Sequence, residues 1–429
     1  MSGSPKATAA AASRHSAKAS SRHSAKGSSG HSAKASSGHS AKAAAATPIP
    51  PPPSHHPVLK RASVEAAGGA GRPPSPVAPA SPNVIGAGGY GTVFAPAFEN
   101  TNFTNAHTRK KWVTKIYKRK DKYEKAVANI SLVQELGFNY NAHPYKRSLS
   151  VHTNVPSKSR KTIRASAGSN TIYGIRIPNK GVSIEDLLTK GRFTQLRAIP
   201  IPIIISEICK MLGQLHTMST RHFIHGDVRT TNIVVDPATG IFTIIDFDWF
   251  YPKARFLSVY SPSFGFYNNP PESLLFHPSK KASYTHYFQN FMLDVAQLDS
   301  IDSITVDNRR FLNRMPTADK WEKMLSTFDS FGLAWSLIRL LESVYPGIID
   351  DDVDKLIETL GPIVTKHGTA YGKDELDMCS LAINSIVQDV LFPLGDFYVE
   401  RRRTVGEMIS VAEDVRDGLG RILEEGSPL

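Results

Sequence analysis

At 429 residues, 41% of them hydrophobic, the chain can form two or three average domains or one large two-lobed enzyme with a tail. It has no apolar run of the ~18 residues that a membrane span needs, and its N-terminus lacks the apolar core of a secretory signal. With only Cys209 and Cys379, we expect reduced thiols and an intracellular protein, cytoplasmic or nuclear. Much of the net charge of +13 lies in residues 1–83, which carry ten Lys or Arg and one acid, Glu65.

The repeats and the composition of residues 1–83 predict a disordered tail. Residues 14–42 repeat an eight-residue unit four times, from RHSAKASS to the truncated GHSAK, and such a unit buries too little apolar surface to offset chain entropy. Residues 43–83 contain a PIPPPP run and Ser-Pro pairs, which are typical of an extended linker. A basic tail of this kind favours weak, salt-dependent contact with a polyanion or nucleic acid. The alternative is a solvated tail without a partner.

A folded part begins at Val84 with a glycine-rich hairpin. VIGAGGYGTVF contains Gly86, Gly88 and Gly91 in the order G-x-G-x-x-G-x-V. Glycines let a tight hairpin bring its backbone close to phosphates, because no Cβ intervenes. A dinucleotide-binding turn is the alternative, but it should open into a helix, whereas TVFAPAF favours a strand. The candidate phosphate-binding residues are Gly86, Ala87, Gly88, Gly89, Tyr90, Gly91, Thr92 and Val93.

A strand and a helix come next. The apolar run WVTKIYK predicts a strand that carries Lys115, followed by Lys118. In DKYEKAVANISLVQELGF the apolar residues recur at helical spacing, and this helix carries Glu124 and Glu135. Two further strand-like runs lie around 148–155 and 171–177. IPIIISEICKMLGQLH then predicts a buried helix that ends at His216.

The stretch from His225 to Asp248 has the most specific pattern in the chain. It reads HGDVRTTNIVVDPATGIFTIIDFD, with Asp227 five residues before Asn232 and, after two short apolar strands, Asp246 followed by Phe247. Carboxylate and amide oxygens are suitable ligands for a hard cation such as Mg²⁺. The spacing suits phosphoryl transfer, in which a protein orients a hydroxyl and holds magnesium against phosphate oxygens.

This H-x-D-x-[KR]-x-x-N and D-F-x pair resembles the catalytic and magnesium loops of the eukaryotic-type protein kinases. The glycine hairpin fits the same family, as do the Pro-Pro-Glu motif ending at Glu272 and a candidate partner for it, Arg402 in RRRTVGEM. Asp329 in FDSFGLAW resembles the residue that caps the catalytic-loop backbone. The resemblance extends from Val84 into the mid-400s, and the motifs look most similar to the divergent serine/threonine kinases of large DNA viruses.

The resemblance implies an α+β, bilobal protein-kinase-like fold with a disordered N-terminal tail. The small β-rich lobe would span 84–178 and the larger helical lobe 179–429, with an insertion around 273–328. ATP and Mg²⁺ are the implied cofactors, and a protein is the implied substrate, phosphorylated on Ser or Thr. A viral member of the family would act inside a host cell.

The family roles carry over to matching positions in this sequence. Asp227 would orient the substrate hydroxyl or accept its proton, and Arg229 would steady the transferred phosphoryl group. Asn232 and Asp246 would bind magnesium. Lys115 would contact the α and β phosphates, with Lys118 as the second choice. A helix acid should pair with that lysine; the sequence ranks Glu124 and Glu135 equally and leaves the other one solvated.

Two positions depart from the family pattern. Gly226 replaces the arginine that usually precedes the catalytic aspartate and pairs with a phosphate on the activation segment, so we expect activity that does not depend on that phosphorylation. Asp248 replaces the glycine of the magnesium loop. Its side chain restricts access to positive φ, and its carboxylate could either assist metal binding or repel triphosphate.

Two alternative functions remain open from the sequence. A small-molecule kinase of the same fold typically has a non-glycine residue at the position of Asp248, but it generally lacks the complete glycine flap, the Pro-Pro-Glu motif and the match at Arg402. A pseudokinase scaffold tethered by its basic tail should have a damaged catalytic set. Here the whole set is present: Lys115, Asp227, Asn232 and Asp246.

Overall fold

The structure is a computed structural model that describes residues 83–87, 91–98, 111–148, 164, 170–259, 269–275, 301–350, 352–366 and 372–425. Several predictions lie outside these ranges: the disordered tail up to residue 82, the hairpin tip at Gly88, Gly89 and Tyr90, the strand-like run beyond Ser148, and residues 276–300 of the insertion. The described part is a mixed α+β structure with a five-stranded antiparallel sheet and a mostly helical C-terminal part.

The five-stranded sheet has the order β1-β2-β3-β5-β4, and every neighbouring pair is antiparallel. Its strands are β1 (Asn83–Ala87), β2 (Gly91–Ala95), β3 (Trp112–Tyr117), β4 (His143–Ser148) and β5 (Thr171–Pro178). TVFAPAF therefore contributes to a strand, as its β-branched residues predict. β3 lies at the centre of the sheet, with Lys115 paired to Val93 on one side and to Ile175 on the other.

Helix α1 (Lys120–Glu135) follows β3 directly. Its buried residues are Ala126, Asn129 and Val133, a spacing of three and four that marks one helix face. Ala126 packs with Tyr117 and Ile175 of the sheet. The opposite face of the sheet has its own apolar cluster, formed by Phe94, Phe98, Ile116, Tyr145 and Ile172. The sheet is thus packed on both faces around the strand that carries Lys115.

The C-terminal part contains ten further helices within the described ranges: α2 (Ile184–Thr189), α3 (Ile201–Thr220), α4 (Lys253–Val259), α5 (Ile301–Arg314), α6 (Thr317–Ser326), α7 (Phe328–Val344), α8 (Val353–Lys366), α9 (Lys373–Ser385), α10 (Phe392–Leu394) and α11 (Val405–Glu425). A π-helical segment, Ile386–Leu391, joins α9 to α10. 3₁₀ turns span Arg192–Ala198, Phe247–Trp249, Pro271–Leu275 and Ile348–Asp350.

The main core is built around α3 and α7. The predicted buried helix corresponds to α3, which continues past His216 to Thr220. Its residues pack with those of α7, α9 and α11 in one apolar cluster that includes Ile205, Leu212, Phe331, Leu337, Ile383 and Ala412. Both cysteines are buried in this cluster and free. In the described ranges, no helix is long and apolar enough to cross a membrane.

Five short strands lie between the helices: β6 (Val182–Ser183), β7 (Phe223–Ile224), β8 (Ile233–Val235), β9 (Phe242–Ile244) and β10 (Tyr251–Pro252). β8 and β9 form an antiparallel hairpin, and Ile233 pairs with Ile244. The turn between them ends at Gly240, whose φ of +74° is easily reached without a Cβ. The hairpin brings the residue after one strand and the residue before the other together, because Ile245 donates its N–H to the carbonyl of Asn232 at 2.8 Å.

Candidate active site

Asp329 fixes the backbone of the loop from His225 to Asn232. Its two carboxylate oxygens accept hydrogen bonds from the backbone N–H groups of His225 (2.6 Å) and Gly226 (2.9 Å). The predicted capping role of Asp329 is confirmed. Burial raises the pKa of this carboxyl to about 6, although the two N–H donors oppose the shift.

Gly226 is required by the local backbone and packing. Its φ is +76°, and a Cβ at this position would lie 2.5 Å from the ring of Phe256 and 3.0 Å from the carbonyl oxygen of Trp249. An arginine here would be strained and would collide with that ring. The packing of Phe256 and Trp249 under the loop therefore leaves no room for a side chain at position 226.

Asp227 is held at both carboxylate oxygens, by a hydrogen bond at one and by an ion pair at the other. Asn232 donates from Nδ2 to Oδ2 of Asp227 at 2.8 Å and to its backbone carbonyl at 2.9 Å. Arg229 lies on the other oxygen, with Nε 3.1 Å from Oδ1. Burial raises the pKa of Asp227 to about 7, and Arg229 opposes that shift. A carboxylate that titrates near neutrality is well suited to accept a proton.

Asp246 follows β9 with a left-handed backbone. Its φ is +66°, a conformation that is uncommon for non-glycine residues but that aspartate adopts more readily than most. Oδ1 of Asp246 lies 2.7 Å from Nζ of Lys115, which is 131 positions earlier in the chain. Burial is the largest single influence and favours the neutral acid, but the charge and hydrogen bond of Lys115, together with smaller contributions from His225 and the backbone of Asp248, lower the pKa of Asp246.

Asp248 lies in the same cluster as Asp246. Its Oδ2 is 2.9 Å from Nζ of Lys115, and its Oδ1 accepts a hydrogen bond from the hydroxyl of Tyr117 at 3.0 Å. Burial and the charge of Asp246 raise the pKa of Asp248. Burial alone lowers the pKa of Lys115, but the two carboxylates reverse the direction and raise it. Lys115 is therefore a charged group with a defined position.

The glycine hairpin lies beside this cluster in the sheet. Gly86 pairs with Val93 and Ala87 with Thr92, so five of the eight predicted phosphate-binding residues belong to β1 and β2. Gly91 is needed for packing, because a Cβ there would lie 2.2 Å from the carbonyl oxygen of Ile116 on β3. At Gly91, β2 therefore lies too close to the strand of Lys115 to carry a side chain.

Neither predicted glutamate is brought to Lys115. Glu124 forms an ion pair with Lys120 at 3.1 Å, and its side chain is 57% exposed; Glu135 is also exposed. Among the described residues, the ion pairs of Lys115 are with Asp246 and Asp248. This corrects the expectation that a helix acid pairs with the lysine. The physical reason is that α1 turns Asn129, not a glutamate, toward the loop. Lys118, the second choice, is exposed after β3.

Helix α1 instead contacts the backbone of the loop that follows β9. Nδ2 of Asn129 donates to the carbonyl of Phe247 at 2.7 Å. Nζ of Lys125 donates to the carbonyl of Asp248 at 2.6 Å and to the hydroxyl of Tyr251. Burial lowers the pKa of Lys125 to about 8. The sequence analysis missed these contacts. The presence of a polar residue, Asn129, on the otherwise apolar face of the predicted helix could have indicated a polar contact there.

Tyr117 and His225 were also missed. Tyr117 lies two residues after Lys115, so strand alternation puts both side chains on one face of β3. His225 is fully buried, with Nε2 3.1 Å from the carbonyl of Ile245 and Nδ1 3.3 Å from the backbone N–H of Asp227. A neutral ring that donates from Nε2 and accepts at Nδ1 satisfies both contacts.

The sequence matches no protein-family model and no curated protein. Function is therefore inferred from the residues of the site.

Asn232 and Asp246 remain the residues that could hold magnesium. Because Nδ2 of Asn232 donates to Asp227, the amide oxygen Oδ1 is the atom that can bind a metal. Within the described ranges, no group of three or more His, Cys, Asp or Glu residues is arranged to hold a metal ion. A sparse donor set fits Mg²⁺, which is commonly bound through one or two carboxylates together with substrate phosphates.

We expect His225 to make the fold sensitive to acid. Burial lowers its pKa from 6.5 to about 4, so the folded state favours the neutral ring. Above pH 6.5 the neutral ring costs the folded state no stability. Between pH 6.5 and 4 the unfolded state binds a proton that the folded state does not, so the free energy of unfolding falls, by about 3 kcal/mol at pH 4. Urea unfolding at pH 7.5 and 4.5 should show a larger loss of stability for the wild type than for His225→Gln. Equal losses in the two proteins would contradict this role.

Proposed function

We propose that the protein is a magnesium- and ATP-dependent protein kinase that phosphorylates Ser or Thr. In this proposal the fold is bilobal: residues 84–178 form the small β-rich lobe, and residues 179–429 form the larger helical lobe. The five-stranded antiparallel sheet with one long helix, followed by a mostly helical part, is compatible with that division.

One observation carries the proposal: motifs far apart in sequence meet at one place. Lys115 of the central strand lies 2.7 Å from Asp246, and the neighbouring loop holds Asp227 against Asn232 at 2.8 Å. Asp329, about a hundred residues later, holds that loop by its backbone. A chance assembly of a lysine, two acids and an amide in this arrangement, beside a glycine hairpin, would not be expected from packing alone.

Each residue then has a chemical task. Asp227, with a pKa near neutrality, orients the acceptor hydroxyl and can take its proton. Arg229 stabilises charge on the transferred phosphoryl group, and Lys115 contacts the phosphates that stay behind. Asn232 and Asp246 hold magnesium, which neutralises charge on the phosphate oxygens when bound.

A small-molecule kinase of the same fold is the second candidate, because Asp248 stands at the magnesium-loop position where such enzymes typically lack glycine. Against it stands the pair of Glu272 and Arg402. Its oxygens and nitrogens lie 2.5 and 3.0 Å apart in a fully buried site, and that pair belongs to the protein-kinase pattern.

Transfer of labelled γ-phosphate tests the proposal. The full-length protein is incubated with labelled ATP and Mg²⁺, with a mixed protein panel in one reaction and with sugars and choline-like alcohols in another. We expect label on protein, recovered as phosphoserine or phosphothreonine, and none with Asp246→Ala. Label only on the small alcohols would support the second candidate. No transfer to either panel would contradict both and favour a scaffold.

A further inference from the structure

Lys115 is held by two carboxylates of one short loop. Asp246 and Asp248 approach its Nζ at 2.7 and 2.9 Å, and the side chains of Lys115 and Asp248 are only 13% and 12% exposed. Asp246 is also a proposed magnesium ligand. The two carboxylates can therefore have different tasks, since one of them is needed by the metal.

Asp248 is itself held in place from the strand and from the helix. The Tyr117 hydroxyl donates to its Oδ1 at 3.0 Å, which leaves Oδ2 for Lys115. Its backbone carbonyl accepts from Lys125 of α1 at 2.6 Å. Asn129, one helical turn further on, donates to the carbonyl of the preceding residue, Phe247. These contacts fix the direction of the carboxylate.

Helix α1 supplies no acid to the cluster. Glu124 pairs with Lys120 at the helix surface, and Glu135 is exposed near the helix end. Both polar residues with which α1 contacts the loop, Lys125 and Asn129, reach main-chain carbonyls. The helix therefore supports the loop without supplying a carboxylate to Lys115.

We propose that Asp248 is the positioning residue for Lys115 and takes the place of a helix glutamate; this inference rests on the proposed function. When Asp246 binds magnesium, Asp248 remains as the anion that keeps the lysine directed toward the nucleotide phosphates. Strand β3 positions Lys115 and the loop after β9 positions Asp248, so the ion pair forms without an acid from α1. The extra carboxylate at the glycine position thereby acquires a specific role.

The test compares Asp248→Asn with Glu124→Gln and Glu135→Gln in the full-length protein. The first readout needs no nucleotide: the acylation rate of the Lys115 amine, measured by mass spectrometry with an amine-reactive ester. Asp248→Asn should raise this rate several-fold, because the buried amine loses one ion pair. The second readout is steady-state kinetics, where we expect the KM for ATP to rise about tenfold with a smaller change in kcat. The two glutamate variants should match the wild type in both.

Tyr117→Phe is the second variant, and it keeps the test valid if Asp248→Asn folds poorly. It removes only the hydroxyl that donates to Oδ1 of Asp248. The acylation rate of Lys115 and the KM for ATP should therefore both rise, but less than in Asp248→Asn. Two results would overturn the inference. One is an acylation rate of Lys115 that stays at the wild-type value in both Asp248→Asn and Tyr117→Phe. The other is a rise in the KM for ATP in Glu124→Gln or Glu135→Gln that is as large as the rise in Asp248→Asn. A wild type that transfers no phosphate would instead overturn the proposed function, while the acylation rates would still judge the ion pair.

Discussion

Asp227→Asn should lower kcat by about 10²- to 10⁴-fold, the usual contribution of a positioned general base. Asparagine has the same shape and can keep the contact with Asn232 after an amide rotation, but it cannot accept a proton. The affinity for ATP should change little, because Asp227 faces the acceptor hydroxyl in the proposed mechanism. Steady-state kinetics with a protein acceptor and Mg²⁺ measures both quantities.

Asp236→Asn is the matched control. Asp236 begins the turn between β8 and β9, where its Oδ1 accepts the N–H of Ala238 at 3.0 Å, and asparagine serves equally well at such a turn. This variant should keep wild-type activity. If Asp227→Asn were as active as Asp236→Asn, the assignment of Asp227 would be wrong.

The pH profile belongs to the same prediction. A carboxyl with its pKa raised to about 7 is protonated below that pH and becomes a base above it. The kcat/KM of the wild type should therefore rise between pH 6 and 8, and the residual activity of Asp227→Asn should lack this rise.

Arg402→Met should lower the free energy of unfolding by about 3–5 kcal/mol, because it leaves a buried carboxylate without its partner. Arg402 and Glu272 are 0% and 1% exposed. Two hydrogen bonds join them, and Nε of Arg402 also donates to the carbonyl of Asp396 at 2.8 Å. The guanidinium lies 4.8 Å from the ring centre of Phe331 on the core helix α7. Loss of this side chain therefore affects the core as well as the ion pair.

The neighbouring residue provides the control for this prediction. Arg403 pairs with Glu407 at 3.1 Å, with side chains 58% and 44% exposed, and exposed pairs contribute about 0–1 kcal/mol. Chemical denaturation should therefore separate Arg402→Met clearly from Arg403→Met. Combining Arg402→Met with Glu272→Leu should recover part of the loss, since no buried charge is left. Equal costs for the two single variants would contradict the assigned role of the buried pair.

Local patterns in the sequence were sufficient for several strands and site residues, but not for β4, which lies at His143–Ser148, before the strand-like run predicted around 148–155. β-branched residues after the glycines predicted β2, apolar spacing predicted α3, and the 225–248 stretch predicted that Asp227 and Asn232 lie close together. Two long-range contacts, Asp329 with the loop backbone and Glu272 with Arg402, followed from the family resemblance and are confirmed. The first group of features depends on short motifs whose geometry is largely local, whereas the two long-range contacts required the family resemblance.

The partner of Lys115 could not be read from sequence distance. At about 100° per residue, Glu124 and Glu135 are rotated roughly 140° and 120° from Asn129, in the same direction. Both therefore lie away from the helix face that meets the loop, which the spacing of Ala126, Asn129 and Val133 already indicated. That Asp248 takes the lysine instead depends on the approach of the loop to β3, and no local pattern encodes that approach.

Calorimetric titration of the full-length protein with ATP, with and without Mg²⁺, tests the magnesium–nucleotide site most directly. We predict binding to the wild type that strengthens with Mg²⁺ and loses that magnesium dependence in Asp246→Asn. Binding that ignores Mg²⁺, or equal affinities for the wild type and Asp246→Asn, would contradict the convergence of Asp227, Asn232 and Asp246 on a magnesium–nucleotide complex.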